Sequence, residues 1–140
     1  MKRIIEIDDK LVVPPPWGNV LKDSGKVPGE LDDQGRFCAH SSVKPLLEKM
    51  VAANMVPPIM NPADMYTSQG EYSPWEHQRQ MMRLYVANSR AYNYSDLGSG
   101  KTSASLWAFD LLKNLGRVNK LLVITPLSTI EAAWGEDAKS

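Results

Sequence analysis

The apolar positions of this chain change period several times, and each change predicts an element. Residues Arg3–Val13 read Arg-Ile-Ile-Glu-Ile-Asp-Asp-Lys-Leu-Val-Val, two β-branched runs around a polar pair. This is the pattern of a small hairpin, with Asp8-Asp9 supplying its turn rather than a metal site. Pro14-Pro15-Pro16 stops the second strand and favours a stiff, extended polyproline connector. Gly18–His40 shows no sustained period and is rich in Gly, Asp and Lys, so loop is expected there. Between Val43 and Met55 the positions Val43, Leu46, Leu47, Met50 and Val51 fall on one helical face. Ser42 is the expected N-cap of that helix, and Pro45 is tolerated in its first turn. Pro57-Pro58 ends it, and the stretch onward to Pro74 reads as a linker.

From Pro74 the pattern strengthens. Trp75–Asn88 has helical spacing, with Gln78, Met81, Met82 and Tyr85 on one side. Ala91–Tyr94 is the expected strand feeding the next loop, although it is less apolar than a buried parallel strand normally is. After the loop, Ala104, Trp107, Ala108, Leu111, Leu112 and Leu115 mark the buried face of a helix, and Gly116 is its natural stop. Lys120–Thr125, containing Leu121-Leu122-Val123-Ile124, suits a central parallel strand. Ser128-Thr129-Ile130-Glu131 is a capping box for another helix. Strand, loop, helix, strand, helix is the first βαβ unit of an open α/β sheet. The expected organisation is therefore an irregular accessory segment over residues 1–73, with a hairpin and one helix, followed by an α/β unit over residues 74–140.

Composition narrows the functional classes. With 140 residues there is room for a small domain with a core, less than a complete nucleotide-driven motor uses. The net charge is zero, so no broad basic surface points to nucleic acid, although backbone amides and hydroxyls can also hold phosphates. The single cysteine, Cys38, excludes an internal disulfide and fits a reducing cytosol. Cys38 and His40 stand close together, but nothing nearby completes a zinc-type ligand set. No apolar run approaches the length of a membrane span, and the N-terminus lacks a secretory core, so a cytoplasmic location without a membrane partner is expected.

The chemistry concentrates in Ser95–Thr102, Ser-Asp-Leu-Gly-Ser-Gly-Lys-Thr. Gly98 and Gly100 allow backbone conformations closed to other residues, so that successive N–H groups can face one anion. Lys101 adds a charge that can reach β- and γ-phosphates, and Thr102 a hydroxyl for Mg²⁺. The helix that follows presents unpaired N–H groups and the positive end of its dipole. The usual pattern G-x-x-x-x-G-K-[ST] has Gly where this chain has Ser95. A glycine-rich turn that merely starts a helix is the bland alternative.

Three elements in order then carry a resemblance. Pro74-Trp75-Glu76-His77-Gln78 is similar to the Q-motif of superfamily-two helicases. Asp96-Leu97-Gly98-Ser99-Gly100-Lys101-Thr102 resembles motif I of the Snf-type DNA translocases, and Leu122–Ser128 with Trp134 resembles their motif Ia. The match spans Pro74–Trp134, somewhat less than half of the chain. It implies the N-terminal portion of a first RecA-like lobe, DEAD/DEAH-like in kind, with residues 1–73 as an accessory segment such as phage or mobile-element members of the family carry.

The resemblance implies ATP and Mg²⁺ as cofactors, with Lys101 and Thr102 as the catalytic pair and Thr102 holding the metal. Leu97, Gly98, Ser99, Gly100 and Ser103 would join them around the nucleotide. Gln78 would read the adenine edge, and Trp75 would either lie beside the base or pack in the core. His77 reads as a partly exposed helix residue. Thr125, Pro126 and Ser128 would approach one strand of double-stranded DNA, Ser128 also serving as an N-cap. The family's Asp-Glu-x-His motif does not follow the loop, and the arginine fingers of the second RecA-like lobe are missing here. Such fingers are worth roughly 10³–10⁵ in rate in related phosphoryl-transfer enzymes, so negligible turnover is expected of these 140 residues alone. The alternatives are a stand-alone, non-catalytic nucleotide- or partner-binding protein, and a small phosphoryl-transfer kinase.

Overall fold

The computed structural model describes residues 3–139, and the chain divides at Pro62 into two compact units. The first contains the residues up to Pro62 together with Ala87–Ser89; the second contains Ala63–Val86 and the chain from Arg90 on. Residues 63–73, which read as linker, thus belong to the second unit.

The first unit is built on the expected hairpin. Strand β1 (Ile4–Ile7) pairs antiparallel with β2 (Lys10–Val13) across Asp8 and Asp9, whose φ values of 52° and 58° are those of a tight hairpin turn. Asp9 also accepts from Ser89 N at 3.1 Å and from the Ser89 hydroxyl, and its own N–H donates to Ala87 O at 2.8 Å. These bonds tie Ala87–Ser89 to the hairpin.

Four sequence expectations fail in this unit. Pro15 and Pro16 form a turn joined by a cis peptide rather than an extended connector. Gly18–His40 is not loop: it supplies most of α1 (Trp17–Ser24), then β3 (Glu30–Leu31) and β4 (Phe37–His40). Ser42 is not the cap of α2 (Lys44–Ala52), because a 3₁₀ turn at Ser41–Val43 intervenes and Val43 takes the cap position. Instead the Ser42 N–H donates to His40 Nδ1 at 3.1 Å. Finally β5 (Ile59–Met60), within the expected linker, pairs parallel with β1.

The result is an open, mixed five-stranded sheet in the order β3-β4-β2-β1-β5. Ile4, Leu11, Val13, Phe37 and Ala39 of the sheet are buried with Leu21 of α1 and Leu47 of α2. Lys44 donates to Glu6 at 2.8 Å, a half-buried ion pair between α2 and β1.

The second unit is helical. A 3₁₀ turn at Pro62–Met65 precedes α3 (Glu76–Ala87), α4 (Lys101–Asn114), and a final turn Leu127–Thr129 that continues as π-helix over Ile130–Gly135. Met81, Met82 and Val86 of α3 and Ala104, Ala108 and Leu111 of α4 are buried. Trp107 and Leu112 are only half-buried, and Leu115 is exposed, so the buried stripe of α4 is narrower than its sequence suggests. The α4 C-terminus closes as expected: Gly116 N–H donates to Lys113 O and Arg117 N–H to Leu112 O, both at 2.9 Å, the paired bonds of a Schellman motif.

Neither expected strand of this unit forms. Ala91–Tyr94 and Lys120–Thr125 join no ladder among the described residues. Tyr92, Tyr94, Leu122 and Ile124 are all more than 80% exposed. The expected parallel βαβ sheet over residues 74–140 is therefore absent from the described residues, and the only sheet lies in the first unit. Nor does the capping box at Ser128 form: the turn starts at Leu127, with Pro126 in the cap position. No helix among the described residues is long and apolar enough to cross a membrane.

Candidate functional site

The glycine-rich loop is held from three sides within the second unit. At its entry, Asn93 Nδ2 donates to the Tyr85 hydroxyl of α3 at 2.7 Å, while Asn93 Oδ1 accepts from Ser95 N at 2.9 Å and from the Ser95 hydroxyl. At its centre, Ser99 N–H closes a turn on Asp96 O at 3.4 Å. Gly98 and Gly100 have φ values of 74° and 76°, a region that side-chain-bearing residues enter only with strain.

Lys101, the first residue of α4, folds back over this loop. Its Nζ donates to Ser95 O and Asp96 O, both at 2.7 Å, so the ammonium spends two of its three N–H bonds on the loop that frames it. Lys101, Thr102 and Ser103 contribute backbone N–H groups that have no intrahelical acceptor at a helix start. Gly100 N–H also lacks an acceptor among the described residues. The Ser99 hydroxyl oxygen is buried without a partner. Thr102 is half-buried beside this set.

The start of α3 supplies the third side. Trp75 precedes the first helical residue, so Gln78 is the third residue of the helix, and its Oε1 accepts from Trp75 N–H at 3.0 Å. That is one arm of a capping box. The other end of the same amide lies against the loop: a Cβ on Gly100 would fall 2.2 Å from Gln78 Nε2. One turn of sequence thus caps its own helix and touches the loop some twenty residues later. His77 Nε2 lies 3.0 Å from Ser99 O. Trp75 meets the His77 ring edge-on at 5.7 Å between centroids. Trp75 is 73% exposed and not packed in a core.

Beside Trp75 and Gln78 opens a cleft of about 820 Å³ that Tyr72, Ser103, Trp107 and Asp110 also line. Ser103, Trp107 and Asp110 follow one another at helical spacing on α4, on a face adjoining that of Ala104, Ala108 and Leu111. Ser103 donates from Oγ to Asp137 Oδ2 at 2.8 Å, and the Tyr66 hydroxyl donates to Asp110 Oδ2 at 2.7 Å. Burial first, and then the bond to the Asp110 carboxylate, push the Tyr66 pKa well above the usual tyrosine value, so Tyr66 remains a donor.

The structure therefore sets Gln78 against Gly100 of the loop that runs through Gly98, Ser99, Lys101 and Thr102, and places Trp75, Gln78 and Ser103 on one cleft. Leu97 stands 98% exposed at the loop tip. Thr125, Pro126 and Ser128 sit in a separate turn, closed by a 2.7 Å bond between the Thr125 and Thr129 hydroxyls and by Thr129 Oγ1 donating to Pro126 O. No hydrogen bond links that turn to the loop among the described residues. Sequence reasoning missed Tyr66 and Asp137 because each bonds to a partner more than thirty positions away, whereas Asn93, which accepts from Ser95 N–H two residues on, was legible in principle. Asp110 was legible in principle, from its spacing to Ser103 and Trp107. No protein-family profile, curated protein or solved structure matches the chain.

Proposed function

We propose that this chain is the ATP-binding N-terminal part of an ATP-dependent DNA helicase or translocase, the beginning of a RecA-like lobe. One observation carries the reading: Gln78 and His77, from the Q-motif-like segment, meet Gly100 and Ser99 of the phosphate loop. Two motifs recognised separately in the sequence thus share one site, which a chance glycine-rich turn does not require.

A polyphosphate would take the place of Ser95 O and Asp96 O on the Lys101 ammonium. It would also accept from the free N–H groups of Gly100 and of the first turn of α4. Two glycines at positive φ, a lysine and a free helix start suit such an anion, and the Thr102 hydroxyl suits Mg²⁺. The metal, when bound, neutralises phosphate charge. The base would enter the cleft beside Trp75 and Gln78. The second lone pair of Gln78 Oε1 and its Nε2 would then face the adenine edge. Thr125, Pro126 and Ser128 would meet a DNA strand in the complete motor.

The test is calorimetric titration of the chain with MgATP. Binding is expected, and Lys101→Ala should weaken it at least about tenfold, the scale of losing one charge-assisted partner. Failure of the unaltered chain to bind ATP would overturn the reading. The exposure of Leu122, Ile124 and Leu127 favours a second reading, a non-catalytic protein that covers this apolar run with a partner polypeptide. Cooperative melting of the isolated chain as a soluble monomer is the outcome that supports it.

A further inference from the structure

We infer that His77 is a positioning residue: by holding the Ser99 carbonyl it aims the Gly100 N–H at the bound polyphosphate. The inference rests on the phosphate-binding reading and adds to it a residue that neither the loop pattern nor the nucleotide chemistry assigns.

A carbonyl oxygen can only accept, so the 3.0 Å contact between His77 Nε2 and Ser99 O requires the proton on Nε2. Both the Nε2–H tautomer and the imidazolium meet that requirement. Ser99 O and Gly100 N–H belong to one peptide plane, and the cis bond among the described residues lies elsewhere, at Pro15–Pro16. In a trans peptide the C=O and N–H point in opposite directions. Fixing the Ser99 carbonyl toward α3 therefore fixes the Gly100 N–H away from α3. That N–H has no acceptor among the described residues.

The lever matters because Gly100 cannot hold this orientation alone. Glycine at φ 76° has neighbouring conformations open to it, and the peptide before it is free to rotate unless gripped. Lys101 grips the loop earlier, at Ser95 and Asp96, and leaves the Ser99–Gly100 plane untouched. Gln78 packs against the Gly100 Cα but bonds to Trp75 N–H. Among the described residues, His77 alone bonds to the carbonyl that shares a plane with the Gly100 N–H. Its ring is steadied by the Trp75 edge contact and by its place in the first turn of α3.

The test compares three probes by calorimetry on the full chain: MgATP, inorganic tripolyphosphate and adenosine. For His77→Ala, affinity for ATP and tripolyphosphate should fall about tenfold, while adenosine affinity and the melting temperature stay put. His77→Phe keeps the ring and its Trp75 contact but loses the donor, so it should behave like His77→Ala. His77→Gln restores an N–H at similar reach and should recover most of the loss. The inference is overturned if His77→Phe binds tripolyphosphate as the unaltered chain does. It is equally overturned if adenosine affinity falls in step with tripolyphosphate, or if His77→Gln recovers nothing. An unaltered chain that binds neither polyphosphate removes the nucleotide reading and this inference together; binding that ignores His77 removes the inference alone.

Discussion

At Gly100 two demands coincide, a left-handed backbone and a neighbour too close for a side chain. Gly98 has only the first, since a Cβ there would meet nothing within 4 Å. The pair forms a controlled comparison. Gly98→Ala and Gly100→Ala should each cost about 1–2 kcal/mol in urea unfolding, the price of a non-glycine residue in that region. Only Gly100→Ala should displace the Gln78 amide and weaken adenosine binding, because the far end of that side chain must move. Tyr66 yields a second prediction at this scale. Its raised pKa means that above about pH 10 the unfolded chain sheds this proton while the folded chain keeps it. The unfolded state then binds fewer protons, so stability falls as pH climbs from that point toward the folded value, and is unaffected below it. Alkaline urea titrations should show this decline, and Tyr66→Phe should remove it. Residues such as Lys101 and Gln78 were legible in the sequence because their chemistry travels with a short local pattern. Tyr66 was not, because its partner Asp110 lies forty-four positions away.

For the elements, helices proved more legible than strands, and the reason is physical. A helix bonds within itself, so the periods at Val43–Met55 and Trp75–Asn88 found α2 and α3 to within a few residues. A strand exists only with a partner. The apolar run Leu121–Ile124 has none among the described residues and stays exposed, while Ile59–Met60, two residues between prolines and polar positions, becomes a strand because β1 lies beside it. Likewise β3, two residues long, is too short to show a period, and β4 is a strand because β2 and β3 flank it. Ile124→Glu should accordingly leave the melting temperature of this chain within a degree or two, since a 90% exposed side chain contributes little packing. Arg79 should be the contrary case. Its guanidinium donates to Ala63 O at 2.6 Å and Tyr66 O at 3.1 Å, tying the 3₁₀ segment to α3. Arg79→Ala should cost about 1–3 kcal/mol, as two carbonyls lose a charged donor, and speed amide exchange across residues 63–66.

As a whole, the molecule separates its sheet from its candidate chemistry: the five strands lie in the first unit and the glycine-rich loop in the second. The sequence reading expected an α/β chain with a sheet, and a mixed α/β fold with an open five-stranded sheet is present. The sheet occupies the half of the chain where only a hairpin was expected, because β4 and β5 pair with that hairpin over distances no local window spans, and β3 then adds to β4. Nucleotide binding, if it occurs at the loop, should therefore appear in amide exchange as protection across residues 95–103. At a ligand concentration of one hundred times Kd, the linked stabilisation is about 2.7 kcal/mol.

The grip of Lys101 on Ser95 O and Asp96 O has a consequence for discrimination. A cation already satisfied by two carbonyl dipoles is a poor target for a lone chloride, which offers one compact charge and no geometry of its own. It changes allegiance only for a guest with several oxygens spaced to engage the ammonium and the amides together. The loop is thus its own placeholder. On the nucleotide reading proposed above, it sets a threshold that abundant small anions do not cross and that an extended chain of phosphates would.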